Sequence, residues 1–322
     1  VIILVHKSYQ NALFDLSPDE KSIAYCNEYN INIFNIQTNT KKNINSNESS
    51  HLRCIRYSPS GKYIAHTCDK HPRKIMLLDI DTEKYIQCED ESNGVINSII
   101  FSNNEEYIIG GGYGGITIWD IKSMKCIKRF VLLNYEIINN GIYISPDNKT
   151  IIFCGIDNNP RGLTDFLSFV AGTSRGVCVI RFLDFYSGQT LKRVNIHHLN
   201  YVSDIESFKL NPTFNCMFII GKEHVTVLDM NGEFIKHLDG LDDSCCVNVA
   251  RYSNTLVFGL LSGYISIMKI EPNITAEYLI GDFKSNNCKI THIVISANEK
   301  FLISRSEDGV IKIQERFKDK IF

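Results

Sequence analysis

The sequence predicts an all-β chain folded as a seven-bladed propeller, and three observations carry that prediction. The first is a short turn after an apolar strand, met as FDLSPDEK (Phe14 to Lys21), IRYSPSGK (Ile55 to Lys62), IIFSNNEE (Ile99 to Glu106), IYISPDNK (Ile142 to Lys149), FKLNPTFN (Phe208 to Asn215), ARYSNT (Ala250 to Thr255) and IVISANEK (Ile293 to Lys300). The second is its spacing: Ser17, Ser58, Ser102, Ser145, Asn211, Ser253 and Ser296 lie 41, 44, 43, 66, 42 and 43 residues apart. A period of about 40–45 residues is that of radial β repeats. The third is the order of segments after each turn: an apolar strand, a polar or glycine loop, then an alternating strand such as INIFN, IMLLD, ITIWD, VIRFLD, VTVLD, ISIMK or IKIQE. Period-2 alternation of β-branched residues describes strands packed face to face.

The elements then run in order. Blades are expected at about 11–44, 51–88, 94–130, 136–196, 201–238, 243–280 and 288–317. The seventh unit ends after its third strand, and Val1 to Val5 precede the first unit's own first strand. Adding Val1 to Val5 as the outer strand of the last blade closes the array and removes an exposed edge.

The third unit, Phe101 to Phe130, is the best preserved. It holds the chain's single Trp, Trp119, after the glycine turn Gly110 to Gly115. Trp119-Asp120, with Leu78-Asp79, Leu183-Asp184 and Leu228-Asp229 as weaker counterparts, together with the S-P-D-x-K turns and the period, resembles the WD40 repeat family over nearly the whole chain. Gly-His dipeptides are missing, Lys269 and Glu315 replace the terminal Asp of the last two units, and the family's Asp-His-Ser-Trp network is incomplete, Asp308 being its best surviving aspartate. The resemblance implies a non-enzymatic protein–protein interaction scaffold or adaptor, a subunit of a larger complex. Trp119 is expected to pack between sheets.

Composition narrows the alternatives. The net charge is −2, from 34 Lys plus Arg against 36 Asp plus Glu, so no overall field attracts nucleic acid or an anionic membrane. No apolar run approaches the roughly 20 residues of a membrane span, and Val1 to Val5 lack the flanks of a signal peptide. The expectation is an intracellular chain, cytoplasmic or nuclear and not secreted; its first residue, Val1, suggests one domain of a longer protein. The 11 cysteines include no C-x-x-C pair, so Cys26, Cys68 and Cys154 read as small buried hydrophobes and no zinc site or other cofactor is expected. His197-His198, Asp242-Asp243 and Glu89-Asp90-Glu91 read as surface or turn residues rather than catalytic sets. The glycine cluster joins two strands, unlike a phosphate loop, which leads into a helix.

One spacing breaks the period. The extra residues fall at Asp157 to Arg175, between strands TIIFCGI and GVCVIRF. There Leu163, Phe166, Leu167 and Val170 follow a helical i, i+3, i+4, i+7 pattern. An alternative makes Asp165 to Ala171 a strand and moves the insertion to Asp147 to Leu163. The apolar face of such a helix either packs on a neighbouring blade or receives a partner.

In the family resembled, second-to-third-strand loops open on the face that receives partners. The candidate contacts on them are His71, Arg73, Tyr113, Arg161, Phe166, Phe169, Arg175, His224, Tyr264 and Asp308, weighted toward aromatic and arginine residues. The partners expected are proteins or peptides on the face that bears the insertion. A second reading uses Lys122, Lys125, Lys128, Arg129, Lys192 and Arg193 on outer strands as a basic rim for RNA or phosphate surfaces. A phosphoinositide-binding subgroup carries two adjacent arginines before a glycine; Asn159-Pro160-Arg161-Gly162 keeps one, which weakens that reading. A propeller enzyme is the remaining alternative.

Overall fold

The computed structural model describes residues 2–5, 14–27, 29–46, 52–88, 91–92, 94–132, 135–157, 177–196, 205–211, 216–221, 225–238, 243–250, 255–270 and 277–315. They form seven four-stranded antiparallel sheets, the blades of a propeller. The first contains β2 (Phe14–Leu16), β3 (Ser22–Asn27), β4 (Asn30–Asn35) and β5 (Thr40–Asn45). The second contains β6 (Leu52–Tyr57), β7 (Tyr63–Cys68), β8 (Met76–Asp79) and β9 (Lys84–Gln87). The third contains β10 (Ile96–Phe101), β11 (Tyr107–Gly112), β12 (Gly115–Asp120) and β13 (Cys126–Val131). The fourth contains β14 (Tyr135–Ile144), β15 (Thr150–Asp157), β16 (Val177–Asp184) and β17 (Thr190–Ile196).

The fifth sheet is β18 (Ile205–Asn211), β19 (Cys216–Gly221), β20 (Val225–Asp229) and β21 (Phe234–Leu238), and the sixth is β22 (Ser244–Ala250), β23 (Thr255–Leu260), β24 (Tyr264–Ile270) and β25 (Glu277–Lys284). The seventh has β26 (Ile290–Ile295), β27 (Phe301–Ser306) and β28 (Val310–Glu315), and its fourth strand is β1 (Ile2–Val5). The expected closure by the N-terminal strand is therefore present, with Ile2 to Val5 opposite Ile313 to Val310.

The chain divides into two compact units, residues 1–43 with 205–322 and residues 44–204. In the second unit Ile75, Leu77 and Ala65 of the second blade pack on Ile96, Ile108 and Trp119 of the third. Ile116 and Ile118 of the third then pack on Ile151, Phe153 and Val179 of the fourth. In the first unit Phe301 and Ile303 meet Phe14, Ile23 and Tyr25, while Phe218 and Val227 meet Val247 and Phe258. A blade sandwiched between two neighbours needs an apolar face on either side, and burial of those faces is the main stabilising term. Trp119 is fully buried. Gly110 makes room for it, since a Cβ there would lie 2.9 Å from the indole ring.

The recurring serine turns share one chemistry. Ser17 Oγ accepts the Ser22 N–H at 2.9 Å, Ser58 that of Tyr63 at 3.1 Å, Ser102 that of Tyr107 at 2.9 Å, Ser145 that of Thr150 at 2.9 Å and Ser296 that of Phe301 at 2.9 Å. Three residues after each serine the backbone turns left-handed, with φ of 59° at Glu20, 77° at Gly61, 57° at Glu105, 58° at Asn148 and 56° at Glu299. At three of these positions the side chain reaches the preceding blade. Glu105 accepts both the N–H and the hydroxyl of Ser60 at 2.8 Å. Asn148 accepts the Asn103 N–H at 2.8 Å, and Glu20 accepts the Ala297 N–H. Among the described residues, three blade-to-blade staples thus repeat at one end of the sheets.

Candidate functional site

The opposite end of the blades carries the second-to-third-strand loops. In the second unit three segments there are tied together through the backbone. Ile96 N–H bonds Pro72 O at 2.8 Å, Ser92 N–H bonds Arg73 O at 2.8 Å, and Tyr113 N–H bonds Val95 O at 3.1 Å. The loop around Pro72 and Arg73, the segment from Ser92 to Ile96 and the turn at Tyr113 therefore form one corner. Gly94 is required in it, because a Cβ there would sit 1.9 Å from the Tyr113 carbonyl oxygen.

This corner collects His71, Arg73 and Tyr113, three of the candidate contacts. Arg73 is an anchor as much as a contact: its Nε and Nη2 donate to Ser92 O at 3.0 and 2.7 Å. Its Nη1 also lies 3.8 Å from Glu91, which is equally 3.8 Å from Lys74 Nζ. Exposed pairs at that distance contribute little stability, so their effect is to orient the guanidinium. Tyr113 is 54% exposed at the tip of its turn. In the sequence Glu91 looks like a solvated loop acid; only the fold sets it against Arg73 and Lys74, and no local signal marks it.

The other candidates are dispersed. Tyr264 is the first residue of β24 rather than a loop residue; it is 39% exposed, with Lys284 Nζ 4.8 Å from its ring centre. The register explains this, since the turn before it spans only residues 261–263. Asp308 lies in the seventh blade's turn, where burial pushes its carboxyl up but the Ser306 hydroxyl and Val310 N–H outweigh it and hold the group below the usual carboxylate range. Ser306 Oγ donates to Asp308 at 2.5 Å and receives a hydrogen bond from Asn286 Nδ2. Asp308 is thus a network residue. Arg161, Phe166, Phe169, Arg175 and His224 lie outside the described residues, as does the expected helix at Leu163 to Val170. The pairing of β15 directly with β16 places residues 158–176 between the second and third strands of the fourth blade. Asp157, expected to open the insertion, is instead the last residue of β15.

The basic rim also needs correction. Lys122 and Lys125 lie in the turn before β13, not on an outer strand, because Asp120 closes that turn: its N–H bonds Lys125 O at 3.0 Å and its carboxylate accepts the Ser123 N–H at 2.7 Å. Arg193, on β17, is committed to the buried Asp157 at 2.7 Å. Lys192 lies beside it on β17. Lys128 donates to Tyr186 O and sits 5.1 Å over the Tyr186 ring. Arg129 donates to Glu91 O at 3.2 and 3.4 Å, which ties the rim to the corner.

The aspartates of the Trp-Asp position are turn formers. Asp79 accepts the Thr82 N–H at 2.9 Å, Asp120 that of Ser123 at 2.7 Å, Asp184 that of Ser187 at 2.7 Å and Asp229 that of Glu233 at 2.8 Å. The Ser123 hydroxyl and N–H hold the Asp120 carboxyl below the usual range, and the N–H and hydroxyl of Ser187 do the same for Asp184. Among the described residues no three His, Cys, Asp or Glu side chains converge as a metal-binding group. Cys154 and Cys178 approach to 3.7 Å between their sulfurs, both buried and both thiols. No helix among the described residues is long and apolar enough to cross a membrane.

Comparison with known proteins agrees with this architecture. The family model for eukaryotic translation initiation factor eIF2A matches residues 8–138. Retinoblastoma-binding-like protein E of Dictyostelium discoideum is 28% identical over 92 residues, a stretch that spans 28% of this chain and only 16% of that protein. A chain in the crystal structure of the mitotic checkpoint complex superposes with a TM-score of 0.76 at 12% identity, covering 98% of this chain and 90% of its own length. At that identity the likeness concerns the fold. The described residues form the seven blades of a β-propeller, and the structural likeness is to that fold.

Proposed function

We propose that this propeller is a non-enzymatic protein-interaction platform, an intracellular subunit of a multiprotein assembly, and that it receives a peptide or domain at the corner of the second and third blades. The carrying observation is the backbone tie that joins Pro72 and Arg73 to Ile96 and Ser92, and Tyr113 to Val95. Loops already ordered lose little conformational freedom on binding. Exposed Tyr and Arg side chains are the types that dominate binding hot spots. The three likenesses name translation initiation, retinoblastoma binding and the mitotic checkpoint, so they favour assembly with other proteins without selecting a process.

The fourth blade's connection, with Arg161, Phe166, Phe169 and Arg175, opens at the same end of its sheet by strand order and extends the proposed surface. The test is affinity purification from native cells with intact chain, Tyr113→Ala with His71→Ala, and a chain lacking residues 158–175. Loss of the same proteins from both altered chains supports the platform; an unchanged partner set in both refutes it.

A second reading has one observation in its favour. Lys122, Lys125, Lys128 and Arg129 fall inside the stretch matched by the translation-factor model. An RNA-binding rim predicts affinity for a uridine homopolymer that falls steeply with salt and is lost when Lys125, Lys128 and Arg129 become Glu. Salt-independent or absent binding removes it.

A further inference from the structure

We propose that Cys154 and Cys178 form an oxidant-driven, reversible disulfide that staples the second and third strands of the fourth blade. Cys154 lies on β15 and Cys178 on β16, and in their antiparallel register Cys154 stands opposite Ile180 while Cys178 stands opposite Ile156. The two cysteines are therefore diagonal neighbours on one face of the sheet. Their side chains lean together until the sulfurs are 3.7 Å apart. Bonded sulfurs are about 2.05 Å apart, so the bond needs an approach of roughly 1.7 Å. Cys178 is the second residue of β16. Strand ends open at a lower free energy than sheet centres, and that opening supplies the approach.

The surroundings set this pair apart from packing alone. Both side chains are buried, on the face opposite Phe153 and Val179, which belong to the core shared with the third blade. Burial alone would be served equally well by alanine or valine, which lack the sulfur–sulfur contact. On the other face the same end of the sheet is already fastened. Asp157, the last residue of β15, accepts Arg193 Nη2 at 2.7 Å, and Arg193 Nε donates to Asn195 at 3.0 Å. That ion pair ties β15 to β17 across β16. The thiols are the corresponding link between β15 and β16, made and broken by electrons rather than by charge.

The oxidant is hydrogen peroxide. In the closed sheet the hydrogen bond with Cys154 and then burial hold the Cys178 thiol well above its usual range, so it stays protonated and reaction waits for the end of β16 to open. The opened, deprotonated sulfur attacks one peroxide oxygen. An S–O bond forms, the O–O bond breaks, and the departing hydroxide leaves as water with the thiol's proton. Reclosure presents this sulfenic acid to Cys154, whose sulfur displaces the hydroxyl group. The S–S bond forms, the S–O bond breaks, and a second water carries off the Cys154 proton. Two thiols thus give up two electrons and two protons, and one peroxide becomes two waters. A dithiol reductant reverses the step by exchange. The staple joins the strand ends from which residues 158–176 leave, and it rests on no reading of what those residues bind.

The test treats the full chain, freed of reductant, with hydrogen peroxide, blocks remaining thiols with an alkylating agent, and maps non-reduced peptides by mass spectrometry. A peptide pair joined through Cys154 and Cys178 should accumulate and disappear on addition of dithiothreitol. Amide exchange in 154–157 and 177–180 should slow roughly tenfold in the oxidised chain. Cys154→Ala and Cys178→Ala should each abolish that slowing, with circular dichroism verifying the fold; mapping of the unaltered chain decides the matter even where a variant does not fold. The proposal is overturned if the two cysteines are recovered unlinked or only in other pairings, if they link no faster than the whole chain unfolds, or if those amides exchange at the same rate before and after oxidation.

Discussion

The two ends of the blades obey different rules. At the serine-turn end the same three features recur from blade to blade: a serine oxygen on the N–H five residues later, a left-handed residue at the third position, and in three cases a side chain capping the turn of the preceding blade. At the other end the described loops differ from one another. The second blade has an arginine bound to Ser92 O, the third an exposed tyrosine on a glycine turn, and the seventh a buried serine–asparagine network beneath Asp308. A repeated end is what stacking of identical units requires. A varied end is where recognition can be written without disturbing that stacking.

This division can be broken by measurement, and the largest expected effect comes from between the two ends. His66 of β7 is fully buried, and burial pushes its imidazole down from 6.5 to about 4. The neutral form is therefore favoured in the folded state, so the unfolded chain binds more protons between those values. Stability is complete above about pH 6.5 and falls by ~3 kcal/mol as pH drops to about 4. Denaturant titrations across that range should show the slope, and His66→Leu should lose it. A wild-type stability that stays flat would place the imidazole in contact with water.

At the serine-turn end, Ser296→Ala removes the oxygen that accepts the Phe301 N–H in a buried site. The expected loss in a denaturant titration is about 2 kcal/mol, the cost of an unpaired buried donor. Glu105→Ala removes both bonds to Ser60 at an exposed position and should cost about 1 kcal/mol. Glu105→Gly should cost less, because glycine adopts φ near 57° without strain. If Ala and Gly behave alike, the left-handed backbone is not under strain there. The smallest effect on stability belongs to the other end: Tyr113→Ala should change it by no more than about 0.5 kcal/mol while abolishing partner capture. A melting temperature lowered as much as by Ser296→Ala would mean that Tyr113 is structural and would erase the distinction.

Legibility in the sequence divides along the same line. The serine spacing places the turns because one local hydrogen bond and one backbone conformation specify each of them. Trp119 reads as a core residue by comparison with its relatives in the other repeats, and it is one. The candidate site is legible only in part. Arg73 and Tyr113 can be nominated as residue types on loops, but Glu91, which orients Arg73, looks like any solvated acid. Lys122 and Lys125 are misplaced by sequence alone because the turn that Asp120 closes runs as far as Lys125, and the lysine-rich run continues across it into β13 without a change of composition. Arg193 cannot be separated from its basic neighbours in the sequence, since Asp157 is 36 residues away and meets it only across a sheet.

By itself, then, the sequence determined the number of blades, their strand order, the turn chemistry and the use of the N-terminal strand to finish the seventh sheet. The first three rest on contacts between residues near in sequence or on a period that repeats, and the last on the seventh unit's lacking a fourth strand of its own. Only the tertiary structure decided which side chains anchor the loops and which lysines and arginines are already engaged. Those outcomes depend on pairs 19 residues apart, as Arg73 and Ser92, to 58 apart, as Lys128 and Tyr186, where neither partner carries a mark of the other.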